Sequence, residues 1–406
     1  MSDPGHQSRN TIDQIDVDGS TVLVRVDFNV PMQDGRISDD TRILAAIPTI
    51  RSILDRGGSV VLMSHLGRPS GKGHEPEFSL EPVAGRLGEL LETDVVFPSH
   101  DCTDAAARKA VADVASGDVV LLENLRFHPG EKKGDEHFAR DLVSDIDAYC
   151  NDAFGTAHRA DASMVAVPTA MGDRPRVAGR LLERELRYLG DAIAEPATPF
   201  TAILGGAKVS DKLKTIRRLA GVVDTLIVGG AMAFTLLKAG GHRTGRSLVE
   251  EPMIDEARRM IDELEASSTT LMLPDDFVCG EAPEAGTPVT TCGIDVPDEL
   301  MGLDIGPDTA ARFAEVVRGA RTVVWNGPMG LFEVPPFDAG TRAVADALVE
   351  ATGSGGITIV GGGDTASAIK SLGLGDSVSH VSTGGGASLT MLEGGPMPAL
   401  DTLDAR

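Results

Sequence analysis

The run ITIVGGGDTA, residues 357–366, decides how this chain folds. Its first four residues are β-branched or aliphatic, the composition of a strand buried on both faces of a parallel sheet. Three glycines follow, so backbone without side chains sits at the strand's carboxyl end, where it can approach a ligand closely. Thr365 and the small residues behind it open a helix, whose free N–H groups and partial positive charge suit a phosphate. Asp364, beside that position, is placed to reach a phosphate-bound Mg²⁺.

The same pattern recurs on either side. Strand-like runs read TVLVRVDFNV (21–30), SVVLMSHLG (59–67), TDVVFP (93–98), DVVLLENLRF (118–127) and DAYCNDAFG (147–155) in the first half. In the second half they read FTAILGG (200–206), DTLIVGG (224–230), TLMLPDD (270–276), RTVVWNG (321–327) and SHVSTGGG (379–386). Helical patterns lie at 79–91, 135–145, 251–266, 308–319 and 339–351. This alternation predicts the α/β class, with two doubly wound parallel sheets covered by helices on both faces. The segment 179–197 carries Leu181, Leu182, Leu186, Leu189 and Ile193 as one apolar stripe, closed by Pro196 and Pro199. It reads as a helix joining a domain of residues 1–178 to one of 198–392.

A chain of 406 residues has room for two such cores. Its net charge of −24, with 9 lysines against 28 arginines, excludes broad binding to nucleic acid or anionic membranes. The acid excess and scarce lysine read as adaptation to high salt. Four scattered cysteines without a C-x-x-C pair read as free thiols in a reducing compartment. The chain shows neither an apolar run long enough to span a membrane nor, in MSDPGHQSRN, the apolar core of a signal peptide. A cytoplasmic location is the expectation.

Ligands bind outside the carboxyl ends of strands in such sheets, and those ends differ between the halves. The first half places Asp27, Asn29, His65, Arg68, Arg126, His158 and Arg159 there, with Arg42 at a loop-to-helix junction. Taken singly, each arginine suits a surface ion pair. Four at equivalent strand ends of so acidic a chain predict an anion pocket, because the guanidinium fork matches phosphate and carboxylate. Asp27 and Asn29 either accept from a substrate hydroxyl or hold those arginines. The second half places glycine there, in LGGAK, VGGAMA, WNGPMG, GGGDTA and STGGGAS. Five such loops predict close backbone contact with a large ligand. Lys208 and Lys212, one helical turn apart, add cations on one face. The P-loop and dinucleotide fingerprints are absent from the sequence, which disfavours dehydrogenase chemistry. The halves therefore predict a small anion held by arginines and a nucleotide cradled by glycines and lysines.

The segments RVDFNVP (25–31), MSHLGRP (63–69), ENLRFHPGE (123–131), NDAFGTAHRA (151–160), AILGGAKVSDK (202–212), WNGPMGLFE (325–333), GGGDTA (361–366) and STGGGAS (382–388) resemble the phosphoglycerate kinase family, in order and over nearly the whole chain. The resemblance implies two Rossmann-like lobes, a hinge-bending monomer, and a tail after about residue 392 that returns to the first lobe. It implies reversible phosphoryl transfer between 1,3-bisphosphoglycerate and Mg-ADP, giving 3-phosphoglycerate and Mg-ATP. Phosphoglycerate contacts fall on Asp27, Asn29, Arg42, His65, Arg68, Arg126 and Arg159. Nucleotide contacts fall on Gly206, Lys208, Lys212, Gly230, Asn326, Pro328, Glu333, Gly362, Gly363, Asp364 and Thr365, with Asp364 toward Mg²⁺ and Glu333 toward the ribose. Arg42, Lys208, Gly363 and Gly386 fall at the transferring phosphoryl group. The chain departs from the family at Asp161, where histidine is common, at Ala231, where glycine is usual, and in the tail GGPMPAL. The alternatives are another carboxylate kinase, which would keep the glycine half and change the arginine half, and a nucleotide-binding protein without catalysis. His65 and His158 have a rival role as general acids, which neither substrate requires.

Overall fold

A computed structural model describes residues 9–190 and 194–406. The chain forms two compact units, Met1–Arg187 together with Pro396–Arg406, and Tyr188–Gly395.

The first unit is built on β1 (Thr21–Val26), β2 (Ser59–Met63), β3 (Val95–Val96), β4 (Val119–Leu121), β5 (Ala148–Asp152) and β6 (Arg176–Ala178). All pair in parallel, in the order β3-β4-β2-β1-β5-β6. β2, β4 and β5 are buried at every position. Helices on both sides explain these unbroken apolar runs. Val24, Leu62 and Leu121 pack against Ile43, Ile50 and Leu87 of the covering helices α1 (Thr41–Leu54) and α2 (Glu81–Leu91). Each such side chain, fully buried, contributes roughly 1.5–3 kcal/mol. Helix α1 was not among the predicted helices, because Pro48 interrupts its pattern. The tail is tied to this unit. Asp404 accepts from Arg176 Nε at 3.0 Å and Nη2 at 2.6 Å, and Ala399 N donates to Ala157 O at 3.3 Å.

The second unit has β7 (Phe200–Leu204), β8 (Thr225–Val228), β9 (Thr270–Met272), β13 (Thr322–Asn326), β14 (Ile357–Gly361) and β15 (His380–Val381) in one parallel sheet. Its order is β9-β8-β7-β13-β14-β15. The direction of winding reverses between β7 and β13, which opens a crevice at their carboxyl ends. Between β9 and β13 the chain inserts an antiparallel sheet, β11-β10-β12, of Asp276–Gly280 (β10), Thr290–Gly293 (β11) and Met301–Ile305 (β12). The sequence reading did not find these three short strands. Phe234, Leu237, Phe277 and Val296 form their own small core beneath them.

The connecting segment departs from a single α-helix. It is α-helical over Arg180–Glu185 and widens to a π-helix over Leu186–Gly190. The wider turn moves the apolar stripe out of α-register, so Leu181, Leu182 and Leu189 are buried while Leu186 is only partly so. Residues 191–193 of the predicted 179–197 helix lie outside the described residues. All four cysteines are free and buried.

Candidate active site

The first unit gathers its cations at the carboxyl ends of β1, β2 and β4. Arg42 Nη1 donates to Asp27 Oδ2 at 3.1 Å and to the Asn29 carbonyl at 3.0 Å. Asn29 Oδ1 accepts from Gly67 N at 2.8 Å, and Arg126 Nη1 donates to Gly67 O at 2.8 Å. Asp27 and Asn29 thus hold the arginine side of the pocket in place. Arg68, next to Gly67, is exposed and makes no hydrogen bond or ion pair among the described residues.

At the centre lies Arg25, which the sequence reading passed over as an interior strand residue. It is fully buried, and a buried charge must be paired or fully hydrogen-bonded. Its Nε donates to Ser163 Oγ at 2.8 Å, its Nη1 to Val26 O, and its Nη2 to His65 Nδ1 at 3.2 Å. Ser163 Oγ in turn donates to the buried Glu131 at 2.6 Å. An arginine in a strand otherwise made of Val and Leu was the available signal.

Because arginine only donates, His65 Nδ1 is an acceptor and the ring proton sits on Nε2. Burial first, then the charges of Arg25, Arg126, Arg159 and Arg42, hold His65 well below the usual histidine range. It is therefore neutral at pH 7, and the four guanidinium groups all act on one ring. Burial and the adjacent charge of Arg159 also lower His158. Asp161 is drawn in as well, with Oδ2 3.8 Å from Arg126 Nη2.

In the second unit the loops after β7, β8 and β13 knit through backbone groups. Gly205 N donates to Asn326 O at 3.0 Å, Gly206 N to Pro328 O at 3.1 Å, and Gly230 N to Met329 O at 3.0 Å. A Cβ on Gly230 would sit 2.5 Å from Gly206 N, and one on Gly327 would overlap Gly205. Gly230 and Gly327 serve loop-on-loop packing, and Gly230 also lines the cavity beside these loops. Gly206, Gly363 and Gly385 instead face open space.

The crevice contains a cavity of about 480 Å³, lined by Gly206, Gly230, Pro328, Glu333 and Asp364 from the predicted set. Ala231, Phe234, Phe277, Met301 and Leu303 complete its walls. All but Ala231 were missed by the sequence reading, since β10 and β12 are too short to announce themselves. An apolar cleft of this size with a few polar groups suits a small organic ligand.

Beside it, Lys212 Nζ donates to Asn326 Oδ1. Burial lowers the Lys212 ammonium below its usual range. Lys208 and Lys212 do not share a helical face, because residues 205–212 form bends and turns and the helix begins only at Leu213. Lys208 stays exposed. The helix Gly363–Ser371 follows β14, with Gly362 at φ 86° lying over Asn326. Thr365 is buried and its Oγ1 accepts from Gly327 N at 2.6 Å, so the side chain braces the β13 loop. Its backbone N–H belongs to the unpaired first turn. Gly386 opens the helix Gly386–Leu392 after β15.

Residues 12–395 match the family model described as phosphoglycerate kinase. The chain is 52% identical over 402 residues to a phosphoglycerate kinase of Rhodopirellula baltica, covering 98% of this chain and 99% of that one. It is 51% identical over 398 residues to that of Clostridium novyi, with 98% of each covered. The solved phosphoglycerate kinase of Coxiella burnetii superposes with a TM-score of 0.89 at 38% identity, over 97% of this chain and 98% of that one. An arginine cluster on one unit, an apolar crevice on the other and these likenesses agree: the chain belongs to the phosphoglycerate kinase family and is a phosphotransferase of glycolysis.

Proposed function

We infer that this chain moves the phosphoryl group between 1,3-bisphosphoglycerate and ADP by electrostatic stabilisation, without a general base. The attacking atom is an ADP phosphate oxygen in one direction and a carboxylate in the other. Both are ionised at neutral pH, so the catalyst must supply position and positive charge. One observation carries this reading: the basic nitrogen of the buried His65, Nδ1, is occupied by Arg25 Nη2 at 3.2 Å, so the ring offers a donor and no free base.

The assignments rest on side-chain chemistry and placement. Asp27, Asn29, Arg42, His65, Arg68, Arg126 and Arg159 bind the phosphoglycerate, with His65 Nε2–H and the guanidinium groups as donors. Gly206, Gly230, Pro328 and Glu333 seat the nucleoside. Lys212, Asn326, Gly362 and Thr365 shape the wall beside the phosphates. Arg42, Lys208 and the amides at Gly363 and Gly386 meet the transferring oxygens, where charge is spread in the transition state. The substrates occupy separate units, so the segment 179–197 is the proposed hinge.

A nucleotide-borne Mg²⁺ fits the donors present. Asp364 offers an exposed hard carboxylate on the cavity wall with no hydrogen bond or ion pair among the described residues. Mg²⁺ takes one or two such carboxylates plus phosphate oxygens, and when bound it neutralises them. No helix among the described residues is long and apolar enough to cross a membrane. A cytoplasmic monomer acting on small molecules, without nucleic acid or membrane partners, is the setting we propose.

The deciding experiment is a coupled assay that follows NADH loss with 3-phosphoglycerate, ATP and a downstream dehydrogenase. Turnover that requires both substrates and Mg²⁺ supports the reading. Turnover with another carboxylic acid in place of 3-phosphoglycerate refutes it.

A further inference from the structure

We propose that His74, His100 and Glu123 form a binding site on the first unit for a divalent transition metal of the zinc class. Glu123 follows β4 and its side chain is fully buried. Its Oε1 accepts from Leu80 N at 2.8 Å and Asn124 N at 2.7 Å, and its Oε2 accepts from Ser79 Oγ at 2.7 Å. The carboxylate is thereby locked, and ligands oriented by surrounding hydrogen bonds bind metal best. The bond from Leu80 N fixes the start of helix α2, and the three bonds together leave Oε2 facing two imidazoles. His74 Nδ1 lies 3.4 Å from Oε2 and His100 Nδ1 lies 3.8 Å from it. The two ring centroids lie 4.4 Å apart with planes tilted by 41°, and the three ligand atoms all lie within 4.8 Å of one another.

Tetrahedral zinc with bonds near 2.1 Å requires ligand atoms about 3.4 Å apart. His74 and Glu123 already meet this spacing. His100, whose side chain is 60% exposed, lies slightly beyond this spacing, with Nδ1 at 3.8 Å from Glu123 Oε2. Both imidazoles reach solvent, so water completes the coordination. Two nitrogen donors select zinc, cobalt or nickel over magnesium and calcium. The neighbouring group of Asp101, Cys102 and His128 is a poorer site, because Cys102 is buried and His128 is already bonded to Asp101 at 3.1 Å. A metal at His74 would pin the loop that begins at Gly67 and carries Arg68, and so stiffen one wall of the anion pocket.

The test uses the full chain, stripped with a chelator and free of nucleotide, titrated with Zn²⁺ and then Co²⁺. One zinc per chain should bind, raise the thermal midpoint, and give visible cobalt d–d absorption. His74→Gln and His100→Gln should each weaken binding about tenfold or more, and together abolish the cobalt spectrum. His128→Ala should leave binding intact, and every variant should keep its Mg²⁺-supported coupled activity measured without zinc. Absence of saturable binding at submillimolar zinc overturns the proposal. So does binding undiminished in the double variant, or loss of binding in His128→Ala.

Discussion

The guanidinium of Arg126 and the carboxylate of Asp161 lie 3.8 Å apart, both buried, and each keeps one polar atom without a hydrogen-bond partner: Nε on Arg126 and Oδ2 on Asp161. Burial first, then the charge of Arg159, push Arg126 below the usual arginine range, and Asp161 partly offsets that. A carboxylate inside an anion pocket competes with the ligand for the same cation. Asp161→Asn should therefore lower the KM for 3-phosphoglycerate about tenfold, or ~1.4 kcal/mol. It should also lower the thermal midpoint of the ligand-free protein, since Arg126 loses its counter-charge. Steady-state kinetics with melting curves decide this, and a raised KM would count against it.

Arg42 is held by Asp27 and Asn29 at the mouth of the pocket, and Lys208 stands exposed beyond β7. A contact made chiefly in the transition state is worth roughly 3–4 kcal/mol. Arg42→Ala and Lys208→Ala should each cut kcat by about two to three decades with far smaller changes in KM. A loss of tenfold or less would remove them from the reacting centre. Arg68→Ala should chiefly raise the KM for phosphoglycerate.

Gly302 on β12 abuts the Phe234 ring, and an added Cβ would overlap its Cζ. Gly302→Ala should push that ring into the crevice. Overpacking costs typically about 1–3 kcal/mol, so the KM for ADP should rise roughly tenfold while that for 3-phosphoglycerate holds. Equal change in both constants would mean that the cavity does not seat the nucleoside.

Asp304 lies on the cavity wall, accepting from Gly340 N at 2.7 Å and Ile305 N at 2.9 Å. Burial raises its carboxyl from the ordinary 3.8 to about 7, and Asp152 in the first unit behaves alike. The folded state therefore binds protons that the unfolded state releases. The stability these groups add is full below about pH 4 and is lost as pH rises through 7. Asp304→Asn should cost about 1–3 kcal/mol for the N–H it leaves unpaired, yet lose less stability than the parent between pH 5 and 7.5. Denaturant titrations at those two pH values provide the check.

Much of this molecule is written locally. Runs such as 59–63 and 322–326 are buried on both faces, so their unbroken apolar character needs no partner to be read. His65 and Arg126 follow strand ends, and the rule that ligands meet sheets there made them visible, with Arg42 in the first turn of α1 beside them. Topology and close approach were not written that way. The short strands β10 and β12 gain stability from pairing in their own small sheet and from the core that includes Phe234, so nothing local marks 301–305 as a cavity wall. Gly327 and Gly206 look alike in sequence, yet one packs on Gly205 and the other faces open space, a distinction made only when the loops cross. Sequence by itself determined which residue types could hold phosphate and where strands end, because those follow from composition and period. Tertiary structure alone decided that Arg25 is buried beside His65 and that Asp161 lies against Arg126, because burial and pairing belong to residues far apart in the chain.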